Sequence, residues 1–199
     1  MEDNGMKSSR MKSSRMRTIS RITRIVSKIL EVTHWVGTAL MAAIAVCAAA
    51  APQGLKYLMD VEGLRAEQEV AAYGFEINMR GATGEINMTT LCLFAVAGVL
   101  IFSLMAMVFR NLYLIIKKSE GASPFQKDNI RMLREIGIFS VAVPVIELVM
   151  SGIIRLAVGV EGLETSVSMN GIFMALLVLC LTEFFAYGAQ LEKDVDGLL

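Results

Sequence analysis

The sequence predicts an all-α integral membrane protein: four transmembrane helices with a short extracytoplasmic β-hairpin between helices 1 and 2. Three observations predict it. First, the 199 residues are 55% hydrophobic with a mean hydropathy of +0.57, above the roughly 45–50% apolar content of an ordinary globular domain. Second, four apolar stretches each approach or exceed the ~20 residues needed to cross a hydrocarbon core of about 30 Å. Third, a net charge of zero conceals a strong segregation of sign. Eight Lys and Arg fall between Lys7 and Lys28, whereas the segment from Pro52 to Met88 holds six acids against three bases.

The spans are expected at Ile29 to Ala51, Thr89 to Phe109, Ile136 to Val158 and Met169 to Tyr187. The first follows a basic lead and ends in the small residues Ala48 to Ala51, as a secretory signal does. Its lead is long and three more spans follow, so it is read as an uncleaved anchor. The chain then divides into a basic arm, residues 1–28, and a single four-helix membrane domain, residues 29–199. Counting Lys and Arg in the short flanks sets the orientation. The arm is basic, and the connection 110–135 carries six bases against three acids; both are expected in the cytoplasm, as are both termini. The acidic connection 52–88 and the short one after Val158 are expected outside.

Within the arm, M-K-S-S-R occurs at Met6 to Arg10 and again at Met11 to Arg15, and Met1, Met6, Met11 and Met16 could each start translation. Arg17, Arg21, Arg24 and Lys28 then recur at helical spacing opposite Ile19, Ile22, Val26 and Ile29. Such a basic amphipathic helix is expected to lie on an anionic inner leaflet; direct nucleic-acid binding is not expected. In the outer connection, Tyr73, Phe75, Ile77 and Met79 alternate with Gly74, Glu76 and Asn78. After R-G-A-T-G, the run E-I-N-M returns at Glu85 to Met88, which reads as a β-hairpin.

The inner connection ends in S-P-F-Q-K-D-N-I-R-M-L-R-E-I-G. Ser123 suits an N-cap, Pro124 a first helical position and Gln126 a capping-box partner, so a helix is expected to start there and run along the interface. Lys127, Arg131 and Arg134 would then offer a cytoplasmic docking surface, with Tyr113 at interfacial depth on the helix before it.

Ionisable residues within spans cost roughly 2.5–3.5 kcal/mol on insertion scales and therefore need a partner or a purpose. Glu147 lies about 16 Å into the third span, near the midplane. Pro144 removes an N–H three residues before it and is expected to kink that helix. Arg155 sits near the outer end of the same span and can snorkel to headgroups. His34 and Glu183 lie at equal depth on helices 1 and 4, which permits a pair.

No nucleophile with its base, metal set or phosphate-cradling loop is apparent, so no enzyme activity, catalytic residue, metal or cofactor is expected. Cys47, Cys92 and Cys180 fall in apolar runs and read as small buried packing residues. Fourteen Met and small residues such as Gly37 and Ala43 permit close helix packing, including packing against a second copy in a homo-oligomer.

The stretch G-A-S-P-F-Q-K-D-N-I-R-M-L-R-E-I-G and the closing E-F-F-A-Y-G-A-Q-L-E-K-D-V-D-G-L-L resemble the DUF2975 family of small bacterial four-helix membrane proteins. The resemblance implies the same four-span topology. Members of that family are often encoded near a small helix-turn-helix regulator of the Cro/C1 type, so it further implies a sensor or regulatory role with such a regulator as cytosolic partner. The alternative expectation is a small transporter or channel that uses Glu147 and Glu183.

Overall fold

The computed structural model describes residues 2–60, 69–72, 75–78, 87–119, 125–158, 163–165 and 169–196. The chain builds α1 (Glu2–Ala50), α2 (Pro52–Asp60), β1 (Glu69–Ala72), β2 (Phe75–Asn78), α3 (Met88–Ser119), α4 (Lys127–Val158), β3 (Leu163–Thr165) and α5 (Met169–Asp196). Four of these helices, α1, α3, α4 and α5, are long and apolar enough to cross a membrane.

Local chemistry explains where the helices begin and end. Backbone before a proline is disfavoured in the α region, so α1 stops at Ala50 and Pro52 opens α2. Asn87 caps α3: its Oδ1 accepts from the backbone N–H of Thr89 at 3.0 Å and Thr90 at 3.2 Å, satisfying two of the orphan donors of a helix start. Lys117 and Lys118 close the last turn of α3, where cations complement the helix dipole. Helix α4 starts later than the sequence suggested. Phe125 lies in a turn and Gln126 precedes the helix, with the Ile130 N–H donating to the Gln126 carbonyl at 3.1 Å. The expected cap at Ser123 and Pro124 lies outside the described residues.

The basic arm and the first span form one uninterrupted helix of 49 residues, about 73 Å long at 1.5 Å per residue. An arm lying flat on a leaflet would require a break near Lys28, and α1 has none. At 32 residues each, α3 and α4 are about 48 Å long, longer than the roughly 30 Å core requires. Their surplus is the charged segment on either side of the α3–α4 connection, here termed the basic end.

The hairpin expected from pairing the Tyr73 to Met79 run with Glu85 to Met88 is not seen among the described residues, Glu85 and Ile86 lying outside them, and the fold is corrected accordingly. The period-two run did mark a strand, β2, but its neighbours differ from the expected ones. β2 pairs antiparallel with β1, Val70 opposite Ile77 and Ala72 opposite Phe75, and on its other edge with β3, Glu76 opposite Glu164. Met88, expected in the return strand, is instead the first residue of α3 because Asn87 caps there; the R-G-A-T-G segment lies outside the described residues. A two-stranded ribbon is marginal in water, and the third strand comes from the loop between α4 and α5. Both of those connections therefore meet at one end of the molecule, the sheet end.

Among the described residues the long helices pack in sequence order as a row: α1 on α3, α3 on α4, α4 on α5. Only 11% of the apolar window of α1 and of α5 is buried, against 39% in α3 and 33% in α4. The outer two are thus edge helices and the inner two are central. Leu91, Phe94, Ala97 and Ile101 of α3 form the core with Met150 and Ile154 of α4, and Met41 and Ile44 of α1 and Leu55 of α2 pack on it. Gly37 and Gly137 make the close approaches. A Cβ on Gly37 would stand 2.8 Å from the Phe102 ring, and one on Gly137 would stand 2.5 Å from Leu179.

Candidate functional site

Near the basic end a chain of polar contacts crosses all four long helices. On α1, Ser27, Glu31 and His34 are buried, and their spacing puts them on one face, the face toward α3. Glu31 takes the Lys28 ammonium at 3.0 Å. The His34 Nδ1 lies 2.7 Å from the Leu30 carbonyl, and its ring packs at 5.0 Å from Phe109 and 5.7 Å from Phe102. From α3, Tyr113 receives Lys28 over its ring at 5.3 Å and Lys117 at 5.9 Å.

The chain continues from α3 to α4 and then to α5. Buried Asn111 donates through Nδ2 to Glu135 at 2.9 Å, and Glu135 also faces Arg131 at 3.5 Å. Arg134 bridges to Glu183 of α5 at 3.3 Å, and Phe125 meets Phe185 of the same helix at 5.4 Å. The α3–α4 connection itself is tied by Lys118 to Asp128 at 2.7 Å and by Asn129, which donates to the Ser119 hydroxyl at 3.2 Å. Asp128 lies beyond the hydrocarbon-crossing part of α4. The hydrogen bond and the charge of Lys118 hold its carboxyl below the ordinary carboxylate range.

These contacts revise several sequence expectations. His34 does not pair with Glu183: the helices that carry them form no packed pair among the described residues, and Glu183 takes Arg134 instead. Equal depth along the spans does not suffice, because adjacency decides pairing and the row puts two helices between them. Of the three docking cations, Arg134 is committed to Glu183, Arg131 faces Glu135 and stays exposed, and Lys127 is exposed with no ion pair among the described residues. Cys47 and Cys180 are exposed and Cys92 is half-buried, contrary to the expectation of burial. In a membrane span apolar neighbours include lipid, so a hydrophobic context does not imply a protein interior.

Glu147 stands apart from this chain. It is 4% exposed in the middle of α4, and its Oε2 meets no hydrogen-bond partner. Pro144 and Ser151 are buried one turn to either side. The Ser151 hydroxyl is spent on the Leu148 carbonyl at 2.9 Å. Arg155 is exposed in the last turn of α4, toward the sheet end.

Three participants escaped sequence reasoning: Glu31, Asn111 and Glu135. A signal existed for the first, since Ser27, Glu31 and His34 repeat at helical spacing inside a largely apolar run. Asn111 and Glu135 are joined across a connection, and no local pattern announces such a pair. No group of three or more His, Cys, Asp or Glu able to hold a metal exists among the described residues. No family model matches the chain, and neither curated proteins nor solved structures yield a match.

Proposed function

We propose that the chain is a non-enzymatic multi-pass protein of the bacterial cytoplasmic membrane, with both termini and the basic end inside, that acts as a sensor or regulatory partner of a small cytosolic helix-turn-helix regulator. Helix α4 is the observation that carries the reading. Its first turns present exposed Lys127 and Arg131 at the basic end, and its other end adjoins β3 of the sheet. One helix thus runs from the outward sheet to the inward docking ledge. The ledge itself is held by Lys118 and Asp128 and by Asn129 and Ser119. The likeness to the DUF2975 family supplies the kind of partner.

The test is a gentle-detergent pull-down of the tagged full chain from its host, with mass spectrometry at low and moderate salt. A small DNA-binding protein should accompany the wild type and be lost from a Lys127→Gln, Arg131→Gln variant. A wild-type preparation that contains only this chain at low salt would count against the reading.

A second reading, a small transporter or channel, is favoured by the burial of Glu147 with one oxygen unpartnered. Glu183 gives it less support, because that carboxylate is 72% exposed and paired with Arg134. A substrate or proton flux that disappears in Glu147→Gln would support this alternative, and normal flux in that variant would end it.

A further inference from the structure

Two ammonium groups from different helices converge on one aromatic ring at the basic end. Lys28 of α1 and Lys117 of α3 sit 5.3 Å and 5.9 Å from the centroid of Tyr113, so they lie within the sum of those distances of each other. Cations from two helices at one ring make a local positive patch that raises the concentration of anions beside it. Glu31 offsets only part of that patch: it holds Lys28 at 3.0 Å, but its side chain is 9% exposed and points into the α1–α3 contact, while Lys28 remains half exposed. Lys117 has no ion pair among the described residues, and exposed Arg110 falls on the same helical face, since Arg110, Tyr113 and Lys117 follow i, i+3, i+7 spacing.

The setting identifies the chemistry of the anion. The ring of Tyr113 is half-buried, and tyrosine is enriched at the boundary between hydrocarbon and headgroups. Helices α1 and α3 continue from this point into their apolar windows, so acyl chains have a surface to follow directly beneath the charges. Basic pockets between membrane helices bind anionic headgroups in this manner. We infer that Lys28, Tyr113, Lys117 and Arg110 form a defined site for the phosphodiester headgroup of one anionic lipid at the seam where α1 meets α3. The site is distinct from the docking ledge at Lys127 and Arg131, so loss of regulator capture leaves it untouched.

Native mass spectrometry of the detergent-solubilised full chain with added phosphatidylglycerol or phosphatidylcholine tests this. The wild type should retain one phosphatidylglycerol and no phosphatidylcholine. Lys117→Gln should weaken retention about five-fold, and adding Arg110→Gln about five-fold again, the expected loss per surface cation near an anionic lipid. Lys117→Arg should keep most of it. These exposed positions are chosen over Lys28, whose removal would strand buried Glu31 and disturb folding. Lys127→Gln with Arg131→Gln should leave retention unchanged. An equal loss in that control would reduce the effect to diffuse surface attraction and overturn the site, as would equal retention of phosphatidylcholine. Binding of soluble glycerophosphoglycerol as tight as that of the lipid would overturn the lipid assignment.

Discussion

The basic end and the middle of α4 treat buried polar groups in opposite ways. At the basic end the buried acid and amides are tied to their own or a neighbouring helix: Glu31 has Lys28, Asn111 has Glu135 and Asn129 reaches Ser119, with only the Asn129 Oδ1 left over. At mid-span Glu147 is more buried than either acid, yet its Oε2 has no partner. An unsatisfied buried polar group costs about 1–3 kcal/mol, so the two regions should respond to apolar substitution with opposite signs. The lesson is that polarity near the interface holds this row of helices together, whereas polarity at its centre is tolerated at a cost that stability alone does not explain.

The strongest way to break the comparison is at Asn111. Asn111→Leu keeps the approximate size but removes a hydrogen bond to a carboxylate between the two central helices, and should lower stability by about 1.5–3 kcal/mol, read as a fall in the thermal midpoint in mild detergent. An unchanged midpoint would mean that α3 and α4 are held by their apolar core alone. Next in size, Glu147→Leu should raise the same midpoint by about 1–2 kcal/mol equivalent, because an apolar side chain replaces an unsatisfied acid. If it falls instead, Glu147 has a structural partner and the contrast collapses. A rise in stability coupled with loss of biological output would mark Glu147 as retained for use.

The smallest effect belongs to the Lys118–Asp128 pair at the tip. The carboxyl is depressed in the folded chain, so its contribution is complete above the ordinary carboxylate value of about 4 and is lost as pH falls through the lower folded value. Hydrogen exchange in the first turn of α4 should therefore be flat from neutral pH down to about 5 once intrinsic exchange rates are divided out, and protection should drop only in acid. Protection that stays unchanged in acid and in moderate salt would mean that Asn129 with Ser119, not the ion pair, holds the turn.

Much of this architecture was legible in the residues. Length and hydropathy identify four spans because the bilayer imposes a minimum apolar run, and the charge of Lys117 and Lys118 marks the end of α3. The row arrangement was not legible. A lipid-facing residue such as Leu176 and a core residue such as Ile101 obey the same apolar rule, so sequence does not separate edge helices from central ones. The error over His34 and Glu183 follows from that: their depths are readable from a rise per residue, their adjacency is not. The sheet failed for a related reason, since β2 was recognisable by its alternation while its partner β3 lies nearly ninety residues away. Asn111 and Glu135 combine both difficulties, being short in sequence separation but joined only once two helices have turned back on each other.

The pairing of β2 with β3 has a topological consequence. It closes a loop of chain that runs from one strand to the other and contains α3 and α4 entire, so the two central helices are enclosed by a non-covalent clasp and their separation is opposed by the ladder as well as by their core. Helices α1 and α5 enter and leave outside that loop. Either can therefore swing away from the row without unzipping a strand from β2, and an exchange of neighbours within the bilayer would begin with them.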